Sequence, residues 1–224
     1  MKVIWTREEM TRQGRYRDLA AASIKGTLGD DGMPKAVDIA QAATRVSGRN
    51  LSDTPYAIPN FRVRTASFNT NLMTGPFRGP MYTSNLFFLE TFINMCAETA
   101  KADPVEYRRK LLANYADKGW IKSLDEVAQK AGWGQNLPRG TAQGIAIGNW
   151  AMQTTKEGAP VPNTGSTVAM VVMVEVSRRG NVSIPRVDVA FDLGSVMNQE
   201  AVRAQMEGGV NMGLSAGLLE EINI

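Results

Sequence analysis

The spacing of apolar residues changes twice along the chain, from alternation to a helical repeat and back to alternation. Polar and apolar residues alternate over Lys2–Thr6, which predicts a strand. Two extended runs, 20–28 and 35–46, flank a turn rich in Gly and Asp and therefore predict a β-hairpin. Residues 48–80 are rich in Asn, Pro, Ser, Thr and Gly, so we expect irregular structure with a short strand over 61–66.

In the middle of the chain, apolar residues recur every three or four positions, which predicts helices. The first begins near Thr83. A second begins after Asp103, because Asp103 can cap it, the next residue is a proline, and Glu106 occupies the capping-box position. A third is predicted to open at Ser123 and to end by Gly132.

The C-terminal part returns to strands and ends in a helix. Val, Ile, Met and Ala predominate over 144–155, 166–177 and 182–192, and the tight turn at 178–181 makes the last two strands antiparallel neighbours. The final helix is predicted over 199–219. The order strands, helices, strands, helix predicts an α+β fold. We interpret 1–224 as part of one domain, with strands and a loop over 1–80, helices over 81–135, and strands then a helix over 140–224.

The composition limits the chemistry that the chain can carry out. It has 224 residues, no His and a single Cys, Cys96. This excludes His-dependent nucleophilic catalysis, His-ligated metal sites and an iron–sulfur cluster held within the chain. Any redox chemistry must come from an organic cofactor or another chain, and we assign no catalytic residue and no metal ligand. Cys96 lies in an apolar helical context, which favours a buried structural thiol.

The charge pattern indicates no special partner. The net charge is +3 at pH 7, and the basic residues are scattered, so we expect no nucleic-acid partner. Arg12, Arg15 and Arg17 have acidic neighbours, and we interpret them as a solvated surface rather than an anion site. No apolar run approaches the roughly 20 residues of a membrane span. The start lacks the pattern of a signal peptide, and bacterial cytoplasm and periplasm both remain open.

The first candidate site is the loop Thr74–Pro80, directly before a predicted helix. Its glycines and prolines fix a loop whose amides, with the start of the helix, can face an anion. Arg78 adds a forked positive charge. The alternative is an ordinary structured turn whose arginine faces water.

The second candidate site is the helix that carries Gly209, Gly213 and Gly217 at intervals of four residues. This spacing leaves a bare stripe on the helix, and Gln205 precedes it by one turn. A primary amide has donors and an acceptor that suit the edge of a fused nitrogen heterocycle. The alternative is close packing of this helix against another element.

Several short segments carry a family resemblance that covers nearly the whole chain. In chain order they are Val3–Glu9, Tyr56–Asn60, Gly75–Gly79 with Phe88, Glu90 and Phe92, Asp103–Arg108, Ala131–Gly134, Gly144–Ala146, Asp188–Gly194 with Asn198, and Val202–Gly209. In this order they resemble the molybdopterin-binding large subunits of the xanthine dehydrogenase and aldehyde oxidase family. The most similar branch is that of isoquinoline 1-oxidoreductase (its beta chain) and bacterial aldehyde dehydrogenase.

The resemblance implies a molybdenum hydroxylase that oxidises a small aromatic N-heterocycle or an aldehyde, with water as the oxygen source. It implies a molybdopterin cofactor and an iron–sulfur small subunit that takes the electrons. It places Arg78 and Gly79 at the molybdenum ligands, Gln205 on the pterin, and Phe77 and Pro80 near the pocket. The cofactor-binding residues implied are Phe77, Arg78, Gly79, Gln205, Gly208 and Gly209.

The sequence also departs from the family. A Gly-Gly-Phe-Gly loop expected before Val3 and a catalytic Glu in a Gly-Glu-Pro type segment expected after Leu219 are absent. We therefore interpret the chain as an internal fragment that is inactive by itself and need not hold a cofactor alone, and we leave its status as an enzyme open. The alternative is a stand-alone, non-catalytic binding or assembly module on the same scaffold. Because missing segments would expose sheet edges and apolar surface, we expect a homo-oligomer.

Overall fold

The computed structural model describes residues 1–46, 48, 50–150 and 166–221, except for the side chains of Arg7 and Thr11. The chain divides into two compact units, Met1–Asp192 and Leu193–Ile224. Helices and two three-stranded sheets alternate in blocks along the chain, so the predicted α+β class is confirmed.

The first unit begins with a short helix and a three-stranded sheet. These elements are α1 (Arg7–Gln13), β1 (Ala20–Leu28), β2 (Pro34–Ala43) and β3 (Asn60–Ser67). Strand β2 is central, antiparallel to β1 and parallel to β3. The predicted hairpin and the short strand near 61–66 are confirmed.

The strand predicted over Lys2–Thr6 is wrong. Residues 1–6 form no regular element, and α1 follows them. The Thr6 side chain caps α1 by accepting the N–H of Glu9 at 3.3 Å. The apolar residues of the alternating run, Val3, Ile4 and Trp5, are 60–76% exposed. Alternation predicts a strand only where one face is buried, and in this run both faces are exposed.

Three helices follow, and they are α2 (Tyr82–Thr99), α3 (Pro104–Leu112) and α4 (Gly119–Ala131). The predicted cap of α3 is confirmed, because the Asp103 carboxylate accepts the N–H of Val105 at 2.9 Å and of Glu106 at 3.0 Å. The predicted start of α4 at Ser123 is wrong, since Ser123 is buried within the helix. The predicted end is confirmed, because Gly132 adopts a left-handed conformation at φ 66°.

The second sheet is antiparallel throughout. Its strands, in spatial order, are β4 (Thr141–Trp150), β5 (Ser166–Val176) and β6 (Val182–Asp192). The predicted pairing of the last two strands is confirmed. The strand predicted over 144–155 begins earlier, at Thr141, and its residues 151–155 lie outside the described part of the chain.

The core of the first unit joins both sheets through the helices. Helix α4 packs on β5 and β6, and α2 contacts β1 of one sheet and β4 of the other. Buried apolar side chains come from every layer, including Ile39, Leu89, Ile93, Leu112, Leu124, Ile145 and Val171. Cys96 is buried in this core, as predicted, and burial raises the pKa of its thiol to about 11.

The second unit contains α5 (Gln199–Leu218). The Asn198 side chain caps it by accepting the N–H of Ala201 at 3.0 Å. This confirms the predicted C-terminal helix to within one residue.

Candidate functional site

The loop before α2 is attached to the segment that follows α1. Tyr16 and Thr74 form an isolated parallel bridge. The Tyr16 N–H donates to the Met73 carbonyl at 3.0 Å, and the Gly75 N–H donates to the Tyr16 carbonyl at 3.1 Å. Gly75 is buried against Arg15, since a Cβ at this position would overlap the Arg15 side chain. Backbone pairing thus fixes the entry to the loop.

The exit from the loop uses a left-handed backbone at two positions. Gly79 has φ 73° and Met81, the residue directly before α2, has φ 65°. A left-handed conformation costs a non-glycine residue roughly 1–2 kcal/mol. Burial of the Met81 side chain and the stacking of Tyr82 on Trp150, at a ring-centroid distance of 4.2 Å, offset that cost. Among the described side chains, none caps the start of α2.

Arg17 contacts both residues at the tip of the loop. Its Nη1 donates to the Arg78 carbonyl at 2.7 Å, and its guanidinium carbon lies 4.5 Å from the centroid of the Phe77 ring, a cation–π geometry. Its Nε is buried and has no hydrogen-bond partner among the described residues. Arg12 and Arg15 are exposed, as the solvated-surface interpretation requires. For Arg17 that interpretation is wrong, because its side chain is half-buried against the loop.

The loop has the charge that an anionic group needs. Arg78 is exposed at its tip, Arg17 lies beneath, and the first turn of α2 contains no acidic residue. Two guanidinium groups and a helix start give a positive potential that suits the oxygens of an anionic cofactor. The cavity between Arg17, Phe77 and Met81 measures only about 10 Å³, which is roughly the space of one water. This cavity is therefore too small to enclose a cofactor.

The residues predicted on α5 lie in the second unit. Gln205 is exposed, and Gly208 and Gly209 are half-buried. Within the described part of the chain, no atom lies within 4 Å of where a Cβ would stand on Gly213 or Gly217. This concerns the second unit alone, so the close-packing alternative stays a prediction. That Gln205, Gly208 and Gly209 bind the same cofactor as the Arg78 loop stays a prediction.

A buried ion network in the first unit was not predicted from the sequence. The Glu90 carboxylate accepts the Tyr56 hydroxyl at 2.6 Å, Arg108 Nε at 3.1 Å, Arg108 Nη2 at 2.9 Å and the N–H of Ile147 at 2.8 Å. Arg108 also donates to the Pro104 carbonyl at 3.2 Å. Arg108 is 0% exposed and Glu90 is 5% exposed. The network joins α2, α3, β4 and the loop before β3.

The electrostatics of this network indicate a structural role. Burial, and next the negative charge of Glu90, raise the pKa of Tyr56 well above its usual value, so Tyr56 remains a neutral donor. Both Glu90 oxygens have partners, and a paired and hydrogen-bonded buried charge is the form that a core tolerates. The sequence contains one sign of this network, which is Glu90 itself. It is a charged residue beside apolar Leu89 in the helical stripe.

The described residues offer neither a metal site nor a membrane span. Within the described ranges, no group of three or more His, Cys, Asp or Glu side chains is arranged to hold a metal ion. Among the helices that the structure describes, none has both the length and the apolar character needed to cross a bilayer.

Comparison with known proteins gives the family. Models of the molybdopterin cofactor-binding domain match residues 3–112 and 90–224. The chain is 26% identical over 243 residues to the beta subunit of isoquinoline 1-oxidoreductase from Brevundimonas diminuta, covering 100% of this chain and 30% of that protein. It is 31% identical over 181 residues to the B subunit of nicotinate dehydrogenase from Pseudomonas putida, covering 79% and 15%.

A third relative is the membrane-bound aldehyde dehydrogenase [pyrroloquinoline-quinone] of Gluconacetobacter polyoxogenes, 28% identical over 190 residues, covering 75% of this chain and 23% of that protein. Among solved structures, the aldehyde oxidoreductase from Desulfovibrio gigas matches with a TM-score of 0.44 and 18% identity, covering 75% and 21%. The chain thus spans 30% or less of the length of these curated relatives. Because one family model matches more than half of its residues, the chain belongs to the molybdopterin cofactor-binding domain family.

Proposed function

We propose that this chain supplies part of the molybdopterin cradle of a molybdenum hydroxylase. The observation that carries the proposal is the cationic loop at 74–81, which precedes α2 within a chain matched by molybdopterin-binding models over 3–112 and 90–224. The names of three relatives, which contain isoquinoline, nicotinate and aldehyde, support an N-heterocycle or an aldehyde as the substrate. Water is then the source of the oxygen.

The bound cofactor supplies the redox chemistry, and the chain binds and orients it. Arg78 and the amide of Gly79 attract its anionic oxygens at the start of α2. Gln205 donates to and accepts from the edge of the pterin through its primary amide. Gly208 and Gly209 let the cofactor approach the helix backbone, because they have no side chain. Phe77 flanks the substrate side of the loop.

We further propose that the isolated chain does not turn over. No Gly-Glu-Pro segment occurs in its sequence, so the base expected in this family has no counterpart here. General acid–base catalysis contributes about 10²–10⁴-fold in typical enzymes.

An iron–sulfur small subunit would accept the electrons, and the chain would self-associate. Light scattering at micromolar concentration tests self-association, and a monomeric mass would contradict it.

The test begins with the 224-residue chain, purified by gel filtration from a host that makes the molybdenum cofactor. Molybdenum is measured by plasma mass spectrometry, and the pterin by fluorescence of its oxidised form. Turnover is assayed with isoquinoline, nicotinate and benzaldehyde, each with an artificial electron acceptor. We expect molybdenum and pterin in equal amounts and no turnover. Turnover would overturn the proposed inactivity. A chain that contains neither molybdenum nor pterin would overturn the proposed cofactor. A chain that contains pyrroloquinoline quinone in their place would also overturn it.

The alternative of a stand-alone binding or assembly module is distinguished by the gene. An open reading frame that continues past both ends of the 224 codons supports part of a hydroxylase. Start and stop codons that directly flank them support the module.

A further inference from the structure

We infer that Arg17 is a positioning residue, which holds the 74–81 loop in the shape that presents Arg78 and Gly79 to the cofactor. The inference rests on the proposed function. Arg17 lies 61 residues before Arg78 in the sequence, outside the loop and outside the segments that carry the family resemblance. It is the contacts of its side chain that assign the role.

One contact fixes the orientation of a peptide group. The Arg17 Nη1 donates to the Arg78 carbonyl at 2.7 Å. That carbonyl and the N–H of Gly79 belong to the same planar trans peptide, so they point in opposite directions. Holding the oxygen toward Arg17 therefore turns the Gly79 N–H away from Arg17, toward the outer side of the loop. Gly79 has φ 73°, a conformation that a side chain would strain.

The second contact fixes the neighbouring side chain. The Arg17 guanidinium lies 4.5 Å from the centroid of the Phe77 ring. The same planar group thus contacts two consecutive residues, one through a ring and one through a carbonyl. Lysine can keep the cation near the ring, but its ammonium lacks the planar fork needed to make both contacts with one geometry.

The third observation is that Arg17 cannot move far. The backbone of Tyr16 pairs with both sides of Thr74, through bonds to Met73 and Gly75. The Arg17 Nε is itself buried. The segment that carries Arg17 is therefore attached to the entry of the loop, which limits how far its side chain can shift from the Phe77 ring and the Arg78 carbonyl.

The test compares three variants of the full chain. Arg17→Met removes the charge and every N–H donor of the side chain. Arg17→Lys keeps the charge but not the planar fork. Arg12→Met is the matched control, because Arg12 is an exposed arginine in the last turn of α1, a short distance before Arg17 in the sequence. Hydrogen exchange is followed in the cofactor-free chain at the amides of Gly75 and Thr83, which donate to the Tyr16 and Gly79 carbonyls at the two ends of the loop. The melting temperature is measured in parallel. Molybdenum and pterin per chain are then measured after expression with the cofactor.

In Arg17→Met we expect exchange of the Gly75 and Thr83 amides to rise by about tenfold or more, the loss typical of a charge-assisted hydrogen bond. We expect the exchange rate of Arg17→Lys to lie between those of Arg17→Met and wild type. The exchange rate of Arg12→Met should equal that of wild type. Cofactor retention should fall in the same order, while the melting temperatures stay within a few degrees.

Unchanged exchange in Arg17→Met would overturn the inference. So would faster exchange with cofactor retention equal to wild type, because the loop would then not need Arg17 to bind. A wild-type chain that retains neither molybdenum nor pterin would overturn the proposed function, and the exchange rates would then decide alone whether Arg17 orders the loop. If Arg17→Met does not fold, Arg17→Lys gives the same comparison.

Discussion

Two arginines in the first unit, Arg108 and Arg17, are each held by several contacts, but only one of them is paired with a carboxylate. Arg108 is 0% exposed and pairs with the Glu90 carboxylate at 2.9 Å. Arg17 donates to a carbonyl and lies against an aromatic ring, and among the described residues it forms no ion pair. One positive charge is neutralised within the core. The other has no carboxylate partner among the described residues and lies against the loop that carries the exposed Arg78.

The segments that resemble the family contain residues of both kinds. Tyr56, Glu90 and Arg108 all lie in segments that resemble the family, yet their side chains meet in the core. Phe77, Arg78 and Gly79 lie in another such segment, at an exposed or half-buried loop. Shared motifs therefore include residues that are buried and charge-paired in the core as well as residues on an exposed loop. We propose a ligand-binding role only for the second kind.

The largest effect is expected from Arg108→Met. It leaves the buried Glu90 carboxylate without its countercharge, and we expect the free energy of unfolding to fall by about 3–5 kcal/mol. Urea unfolding followed by circular dichroism measures it. Arg64→Met is the control, because Arg64 also pairs with a carboxylate, that of Asp38, but is exposed. A loss below about 1 kcal/mol in Arg108→Met, typical of surface pairs, would contradict the assigned role of the network.

A smaller loss is expected from Tyr56→Phe. The ring stays, but Glu90 loses the hydroxyl donor at 2.6 Å. Removing one partner of a buried charged group costs about 1–3 kcal/mol. The same unfolding experiment applies, with Tyr16→Phe as the control. If both variants are equally stable, the Tyr56 hydroxyl does not contribute to the network.

A further loss, of about 1–2 kcal/mol, is expected from Gly79→Ala, since a left-handed conformation disfavours a Cβ by that amount. Gly144→Ala is the matched control, because Gly144 lies in β4 and no described atom is within 4 Å of the added carbon. We expect the control to be neutral or slightly more stable. Equal effects of the two variants would argue against a constrained loop.

The smallest effect on stability is expected from Arg78→Met. Arg78 is exposed, and surface substitutions usually change the free energy of unfolding by less than about 0.5 kcal/mol. Urea midpoints within error of wild type confirm this. A loss comparable to that of Arg108→Met would make Arg78 a structural residue and erase the contrast between core and loop.

Local patterns in the sequence predict most of the fold and little of the site. The hairpin β1–β2, the cap at Asp103 and the helix α5 follow from signals within a few neighbouring residues. Helix α1 was missed although Thr6 and Glu9 have capping-box spacing, because it has no apolar face to reveal it. The strand predicted at Lys2–Thr6 rested on alternation alone.

Contacts between distant segments explain what the sequence does not predict. Tyr56 lies 34 residues from Glu90, and Arg17 lies 61 residues from Arg78. The sequence spacing of these residues does not predict either contact, because only the fold brings the two residues of each pair together. A resemblance implies the roles of Arg78 and Gly79, but only the structure reveals the arginine that holds their loop.

We propose that the Arg78 loop binds molybdopterin and that the stability of the core does not depend on this loop. The most direct test is the molybdenum content per chain of wild type, Arg78→Met and Arg139→Met, measured after identical gel filtration. Arg139 is the control because it is an exposed arginine in the turn before β4. We predict that Arg78→Met loses most of its molybdenum while its urea midpoint and the content of Arg139→Met stay at the wild-type level. Equal molybdenum in all three chains would contradict the claim.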